Sequence, residues 1–270
     1  MLHKIGNNYK EVLKSRRNKK DFPDVGKLLK VLDIEKLQSQ LKYLLSLNNE
    51  LDLDSTETRY GLNKKDGTKF INDYDRFITN YSNITFHKMT REATNLAEKI
   101  NRSLEEYSPF DRLRGMTDTS SKFYHPYYDE RNYTEYTDFA NGYIKEVLED
   151  FHSVSCRSAI VVLSPGQAIT KHFDIGPEYI IRLQIPIITN EKCIMGFKSS
   201  DGWNTYHLPA DGGMYAVNAG IEHWAINTGD TVRYHLRVCL TSQEDTEGMT
   251  ALSTVGFITD QEFINHACAK

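Results

Sequence analysis

The chain has 270 residues, enough for one large domain or one and a half, and its formal net charge of -4 is spread over most of its length, which gives no reason to expect nucleic-acid binding. Four cysteines without any C-x-x-C pairing argue for reduced thiols and against a structural zinc site. No apolar run approaches the ~20 residues that span a bilayer, and no signal-peptide pattern opens the chain, so the expectation is a soluble cytoplasmic protein without a membrane partner.

The composition changes character near residue 155. Before it, charged segments carry helical periodicity; after it, short β-branched segments alternate with Gly, Asp and Asn. The basic run Lys14, Arg16, Arg17, Lys19 and Lys20 reads as a solvated helix face. Leu37, Leu41, Leu44 and Leu45 recur at helical spacing and predict a helix over Ile34 to Leu47, with Asp33 placed to cap it. Turn-rich clusters over residues 49–85 read as loops with one or two strands. A second helix is predicted over Arg91 to Tyr107, with Ala93, Leu96, Ala97, Ile100 and Leu104 on one face. The aromatic loop Phe123 to Tyr128 either covers a pocket or packs its rings on the following domain. A third helix is predicted from Tyr136 to Phe151.

Eight short strands follow: Ser158–Ser164, Ala168–Asp174, Tyr179–Ile188, Cys193–Ser199, Trp203–Leu208, Met214–Asn218, His223–Asn227 and Thr231–Thr241. Turn signals such as Pro165-Gly166, Gly176-Pro177, Asp211-Gly212-Gly213 and Thr228-Gly229-Asp230 separate them. The even spacing predicts a sandwich or barrel, and eight strands are the count of a double-stranded β-helix. The expected fold is mostly β with N-terminal helices around a jelly-roll, cupin-like core. The expected organisation is a helical region over 1–154, a catalytic core over 155–241 and a tail over 242–270, with a short helix from Asp260 to Ala267.

The chemistry concentrates on this second half. Side chains two apart on a strand share a face, which puts Thr170, His172 and Asp174 together and turns Lys171 and Phe173 away. Two imidazoles and a carboxylate form the facial set that binds non-haem Fe(II) with positions left open, and His223 at the start of the seventh strand can supply the second imidazole. On the eighth strand Val232, Tyr234, Leu236, Val238 and Leu240 face one way, and Arg233, His235 and Arg237 the other. Cations facing into a barrel call for an anionic partner. A guanidinium pairs bidentately with a carboxylate, so Arg233 suits the far carboxylate of 2-oxoglutarate. Arg182 and Gln184 share a face of the third strand and can meet the cosubstrate or an acidic substrate. A lone H-x-D triplet is weak, and His223 or Arg233 alone could be ordinary loop and ion-pair residues. The joint pattern of strand pair, late histidine and inward arginine is what points to a metal site. Cys193 and Cys239 read as small core residues.

Leu163-Ser164-Pro165-Gly166 leading to His172-Phe173-Asp174 resembles the iron-binding segment of 2-oxoglutarate-dependent oxygenases. Arg182-Leu183-Gln184-Ile185-Pro186-Ile187, Gly213 to Asn218, and His223 with Asn227 and Arg233 resemble the aspartyl/asparaginyl β-hydroxylase family, which includes bacterial hydroxylases of free amino acids. The similarity covers about Ala159 to Leu240. It implies that His172, Asp174 and His223 bind iron. It further implies that Arg233, ten positions after His223, holds 2-oxoglutarate and that Arg182 has a cosubstrate or substrate role. Gln184 stands where family members often have a histidine. Asp174 argues against a halogenase, in which a small residue replaces the carboxylate.

The activity expected on this basis is hydroxylation of an amino acid or a peptidyl side chain with Fe(II), 2-oxoglutarate and O2, supported in vitro by ascorbate, with His235 and Arg237 binding substrate. Two other readings use the same barrel. One is a cupin-type metal enzyme without 2-oxoglutarate; the other is a non-catalytic jelly-roll that binds sugar or peptide through Trp203, Tyr206 and Tyr215. Nothing in the sequence bears on oligomeric state.

Overall fold

The computed structural model describes residues 20–47, 84–100, 124–126 and 129–259. In chain order its strands are β1 (Val25–Val31), β2 (His87–Lys88), β3 (Glu135–Tyr136), β4 (Ser155–Leu163), β5 (Ala168–His172), β6 (Ile181–Ile188), β7 (Cys193–Lys198), β8 (Trp203–Tyr206), β9 (Gly213–Val217), β10 (His223–Asn227), β11 (Arg233–Leu240), β12 (Thr250–Ala251) and β13 (Gly256–Ile258). Its helices are α1 (Ile34–Leu47), α2 (Arg91–Lys99) and α3 (Gly142–Glu149).

The eight predicted strands are β4 to β11, and they distribute between two antiparallel sheets. One sheet runs β12-β1-β9-β6-β11-β4 and the other β13-β8-β7-β10-β5. Successive strands cross between the sheets except at the β7–β8 hairpin, four of the eight on each, which is the topology of a double-stranded β-helix.

Strands β4, β6 and β11 of the first sheet are largely buried on both faces, as their patterns show. Ile181, Leu183, Ile185 and Ile187 of β6 join Tyr234, Leu236, Val238 and Leu240 of β11 on the outside. There they pack against Leu37, Leu41 and Leu44 of α1 and Ile144, Val147 and Leu148 of α3. A second cluster, with Leu163, Phe197, Tyr206, Tyr215 and Ala225, fills the space inside. Strand alternation does the sorting: leucines and isoleucines go out to the helices, and Arg182, Gln184, Arg233 and Arg237 go in. Asp33 caps α1 through its Oδ1, which accepts from the Lys36 N–H at 3.1 Å.

Several expectations shift. The sequence reading has no strand at Val25–Val31, yet β1 lies inside the first sheet, paired with β9 and β12. The compositional change near residue 155 is therefore not an edge of the sheet. The third helix begins at Gly142, not Tyr136, because Tyr136 pairs with His87 in the β2–β3 ribbon and Asn141 is extended at the helix start. The second helix ends at Lys99, with Ile100 extended as its cap. Residues 101–107 lie outside the described residues, as do Lys14 to Lys19, most of the 49–85 loops, half of the aromatic loop and the Asp260–Ala267 helix.

Within the second sheet Gly196 of β7 lies directly opposite Trp224 of β10. A Cβ on Gly196 would sit 2.1 Å from the indole ring, and Trp224 is itself buried and lines the cavity described below. Gly196→Ala is expected to cost about 1–3 kcal/mol through overpacking. The readout is a lower denaturant midpoint at unchanged m-value; an unchanged midpoint contradicts the packing argument.

Candidate metal centre and its charged surround

His172 ends β5 and His223 begins β10, and the antiparallel pairing of these strands sets the two residues opposite each other. Their ring centroids are 4.2 Å apart. Asp174 lies two residues beyond the end of β5, off the strand that was predicted to include it. Its backbone N–H donates to the Ala219 carbonyl at 2.9 Å, which fixes the turn. The carboxylate still reaches the same point: Oδ2 is 3.6 Å from His172 Nε2 and 3.8 Å from His223 Nε2. One ligand atom from each of the three lies within 4.8 Å of the others. Phe173, between the two ligand-type residues, points to solvent at 59% exposure.

The tautomer of His223 favours a cation here. His223 Nδ1 is 2.9 Å from the Ile221 carbonyl, so its proton sits there and Nε2 presents a lone pair toward Asp174. Burial and the neighbouring His172 hold His223 down at about 4. Burial opposes the charge on Asp174, but Arg182 and the hydrogen bond from His172 outweigh it and keep the carboxylate well below its usual range.

Arg182 is the link to the rest of the site. Its Nη1 is 3.1 Å from Asp174 Oδ2, and its Nη2 donates to Glu130 Oε1 at 2.6 Å. The same Glu130 oxygen accepts from Arg157 Nη1 at 3.0 Å, and Oε2 accepts from the Cys239 thiol at 3.4 Å. Glu130 is only 4% exposed. Burial works against its charge, and Arg182, Arg157 and Arg237 together hold it ionised.

Sequence reasoning missed Glu130 and Arg157. Glu130 sits in a single turn of 3-10 helix, Glu130–Asn132, where no periodicity marks it. The turn is anchored by Asp129, whose carboxylate accepts from the Arg131 backbone N–H and side chain. Arg157 precedes the predicted start of its strand.

One cavity gathers His172, Asp174, His223, Arg182, Gln184, Arg233 and Arg237, together with Glu130 and Arg157. Arg233 is almost fully buried. His235, expected at the substrate, does not line this cavity. Its ring is buried, Nδ1 lies 3.2 Å from Gln184 Oε1, and burial with the adjacent Arg233 keeps it neutral. The aromatic residues of the binding-module reading are also inside: Trp203 and Tyr215 are fully buried and Tyr206 nearly so.

His87 braces the strand that carries Arg157, its Nδ1 accepting from the Ser158 N–H at 3.1 Å. Burial lowers its pKa to about 4. The unfolded chain takes up a proton below about 6.5 and the folded one resists to about 4. The stability that follows is complete above about pH 6.5 and is lost as pH falls toward 4. His87→Asn, which keeps an acceptor near the Nδ1 position, is expected to flatten the decline in unfolding free energy between pH 7 and 4.5 by about 1–3 kcal/mol. Urea titrations across that range give the slope, and an unchanged slope overturns the assignment.

The profile of the family described as aspartyl/asparaginyl beta-hydroxylase matches residues 89–242. No curated protein matches the chain. Among solved structures, a 2OG-Fe(II) oxygenase family protein from Burkholderia pseudomallei is similar at 16% identity and TM-score 0.31, over 36% of this chain and 56% of that one. An oxalate decarboxylase variant from Bacillus subtilis aligns at 24% identity and TM-score 0.26, over 36% and 24%. A Klebsiella pneumoniae protein with a double-stranded beta-helix domain aligns at 19% and TM-score 0.25, over 37% and 70%. The chain thus spans little more than half of the first of these. No helix among the described residues is long and apolar enough to cross a membrane. With the profile matching more than half of its length, the chain belongs to the aspartyl/asparaginyl β-hydroxylase family.

Proposed function

We propose that the protein is an Fe(II)- and 2-oxoglutarate-dependent dioxygenase that hydroxylates an amino acid or a peptidyl amino-acid side chain, with succinate and CO2 as coproducts. The observation that carries the reading is the convergence of His172, Asp174 and His223 on one point in a cavity that also holds a buried guanidinium, Arg233. The donor set fits Fe(II): two imidazoles, one with its Nε2 lone pair turned to the site, and a carboxylate held ionised.

When bound, the metal would supply dioxygen activation coupled to oxidative decarboxylation of the keto acid. The chain supplies the rest. His172, His223 and Asp174 hold the ion, and Arg182 keeps the Asp174 carboxylate aimed and charged. Arg233 offers a planar, buried donor set for the distal carboxylate of 2-oxoglutarate. Gln184, fixed by His235, can donate to the cosubstrate through its amide nitrogen. Val161, Ile169, Met195, Val217, Trp224 and Ala225 wall the cavity and limit water.

A buried guanidinium at Arg233 favours a carboxylate-bearing cosubstrate over a metal enzyme without 2-oxoglutarate, and the aromatic faces that a sugar-binding jelly-roll needs are buried here. The cytoplasmic location and the small-molecule or peptide partner belong to the same proposal.

Anaerobic addition of Fe(II) and 2-oxoglutarate is expected to give a visible charge-transfer band that Asp174→Ala abolishes. Arg233→Met should raise the half-saturating 2-oxoglutarate concentration by about tenfold or more, the loss of a charge-assisted carboxylate pair. Absence of the band together with no succinate release from a substrate panel would remove the proposal. A band indifferent to Arg233→Met would leave only the cosubstrate anchor to be reassigned.

A further inference from the structure

Arg157 has φ +42°, the only non-glycine residue in the left-handed region among the described residues. It sits at a β-bulge: between the pairs Arg237↔Ala159 and Cys239↔Cys156, β4 places Arg157 and Ser158 opposite Val238 alone. At such bulges the left-handed position ordinarily belongs to glycine, because a Cβ crowds the backbone there. A long charged residue held in that conformation points to something its side chain does.

That side chain lines the cavity beside Arg182 and Arg237. Its guanidinium lies 5.4 Å from the centroid of the Tyr133 ring and shares Glu130 Oε1 with Arg182. Its backbone carbonyl accepts from Arg237 Nη2 at 3.3 Å. Arg237 has no carboxylate in ion-pairing range among the described residues, and its Nε is buried without a hydrogen-bond partner. Burial, with Arg182 and Arg157 nearby, lowers its basicity. Among the described residues, four guanidiniums in the cavity wall face two carboxylates, Glu130 and Asp174, an excess of two positive charges before either imidazole is counted. A divalent metal and a dianionic cosubstrate would cancel each other and leave that excess in place. A cationic wall of this kind is complete only with a further anion.

We propose that Arg157 and Arg237 form a subsite for a free carboxylate of the substrate, so that the substrate is a free amino acid or a chain-terminal residue and not an internal peptide residue. The inference rests on the oxygenase reading and narrows it. The bulge turns Arg157 inward, Glu130 fixes one edge of its guanidinium, and the remaining donors of Arg157 and Arg237 take the substrate oxygens.

The test adds each common L-amino acid, and separately its C-terminal amide, to the anaerobic complex with Fe(II) and 2-oxoglutarate, and reads affinity from the shift of the charge-transfer band. At least one acid is expected to shift the band, with its amide bound about tenfold or more weakly. Arg157→Gly, which suits the left-handed backbone, and Arg237→Met should each weaken the acid by about tenfold or more and leave the affinity of the amide in place. A cooperative thermal unfolding transition of Arg157→Gly, whatever Tm the lost Glu130 contact leaves, separates this loss from misfolding. Equal affinity for acids and amides overturns the subsite. So does an Arg157→Gly protein that binds the acid as tightly as the parent, or a band that forms but that no acid moves. If no band forms and no member of the panel releases succinate, the oxygenase reading fails and the subsite goes with it.

Discussion

A carboxylate kept ionised inside a barrel needs a cation beside it, and the site is arranged around meeting that need. Asp174 is held by Arg182, Arg182 is balanced by Glu130, and Glu130 is shared with Arg157. Each member would be costly to bury alone, and each is tolerable because the next compensates it. Removing one therefore leaves its neighbours exposed to the full desolvation cost, and single substitutions along this chain of charges will not add. The arrangement depends on arginine in particular. A guanidinium has donors enough to bridge two carboxylates at once, as Arg182 does, whereas an ammonium on a flexible stem would meet them as a point charge.

The charge chain also explains what the N-terminal part of the protein does for the site. Glu130 comes from outside the eight-stranded core, on a turn whose contacts run to β4: the Tyr133 carbonyl accepts from the Arg157 N–H at 2.9 Å, and the Ser158 carbonyl accepts from the Phe86 N–H at 2.8 Å. The segment around Ile84 to His87 thus lies along the edge of β4 at the bulge, and the 3-10 turn behind it places the one acid that stabilises two of the site's arginines. The barrel alone would present Arg157 without this counter-charge and leave Arg182 with Asp174 alone of the two carboxylates.

Much of this was legible in the sequence, for identifiable reasons. Turn residues at regular intervals marked all eight core strands, and β10 matched its predicted limits, because Gly-Ile-Glu before it and Thr-Gly-Asp after it punctuate the chain sharply. Alternation on β11 separated its helix-facing residues from its cavity-facing ones. His172, Asp174 and His223 could be grouped because metal-ligand residue types at strand ends carry a joint signal. What escaped was whatever does not repeat. Strand β1 reads Val-Gly-Lys-Leu-Leu-Lys-Val, with glycine and paired leucines breaking the period of two. Glu130 lies in a charged, aperiodic stretch, and a positive φ at Arg157 leaves no trace in residue type, since arginine is not what that backbone ordinarily selects. His235 shows the opposite failure. Its period was right, and its ring nevertheless turned to Gln184, because direction along a strand fixes a face and not a contact.

The same alternation imposes a limit on how the site can vary. On β6 and β11, every second residue belongs to the apolar layer under α1 and α3, and the residues between them carry the charges. A slip of one residue in either strand would drive Leu183 or Leu236 into the cavity and Arg182 or Arg237 into the helices, so the packing of the helices and the register of the charged residues are a single constraint. The bulge at Arg157 is the place where β4 departs from that register. One extra residue on β4 resets the phase between Arg237 and Cys239, and it lets a fourth guanidinium enter the cavity without displacing an outward apolar side chain. The strained backbone at Arg157 is then the local consequence of adding a charge to a sheet whose other positions were already committed.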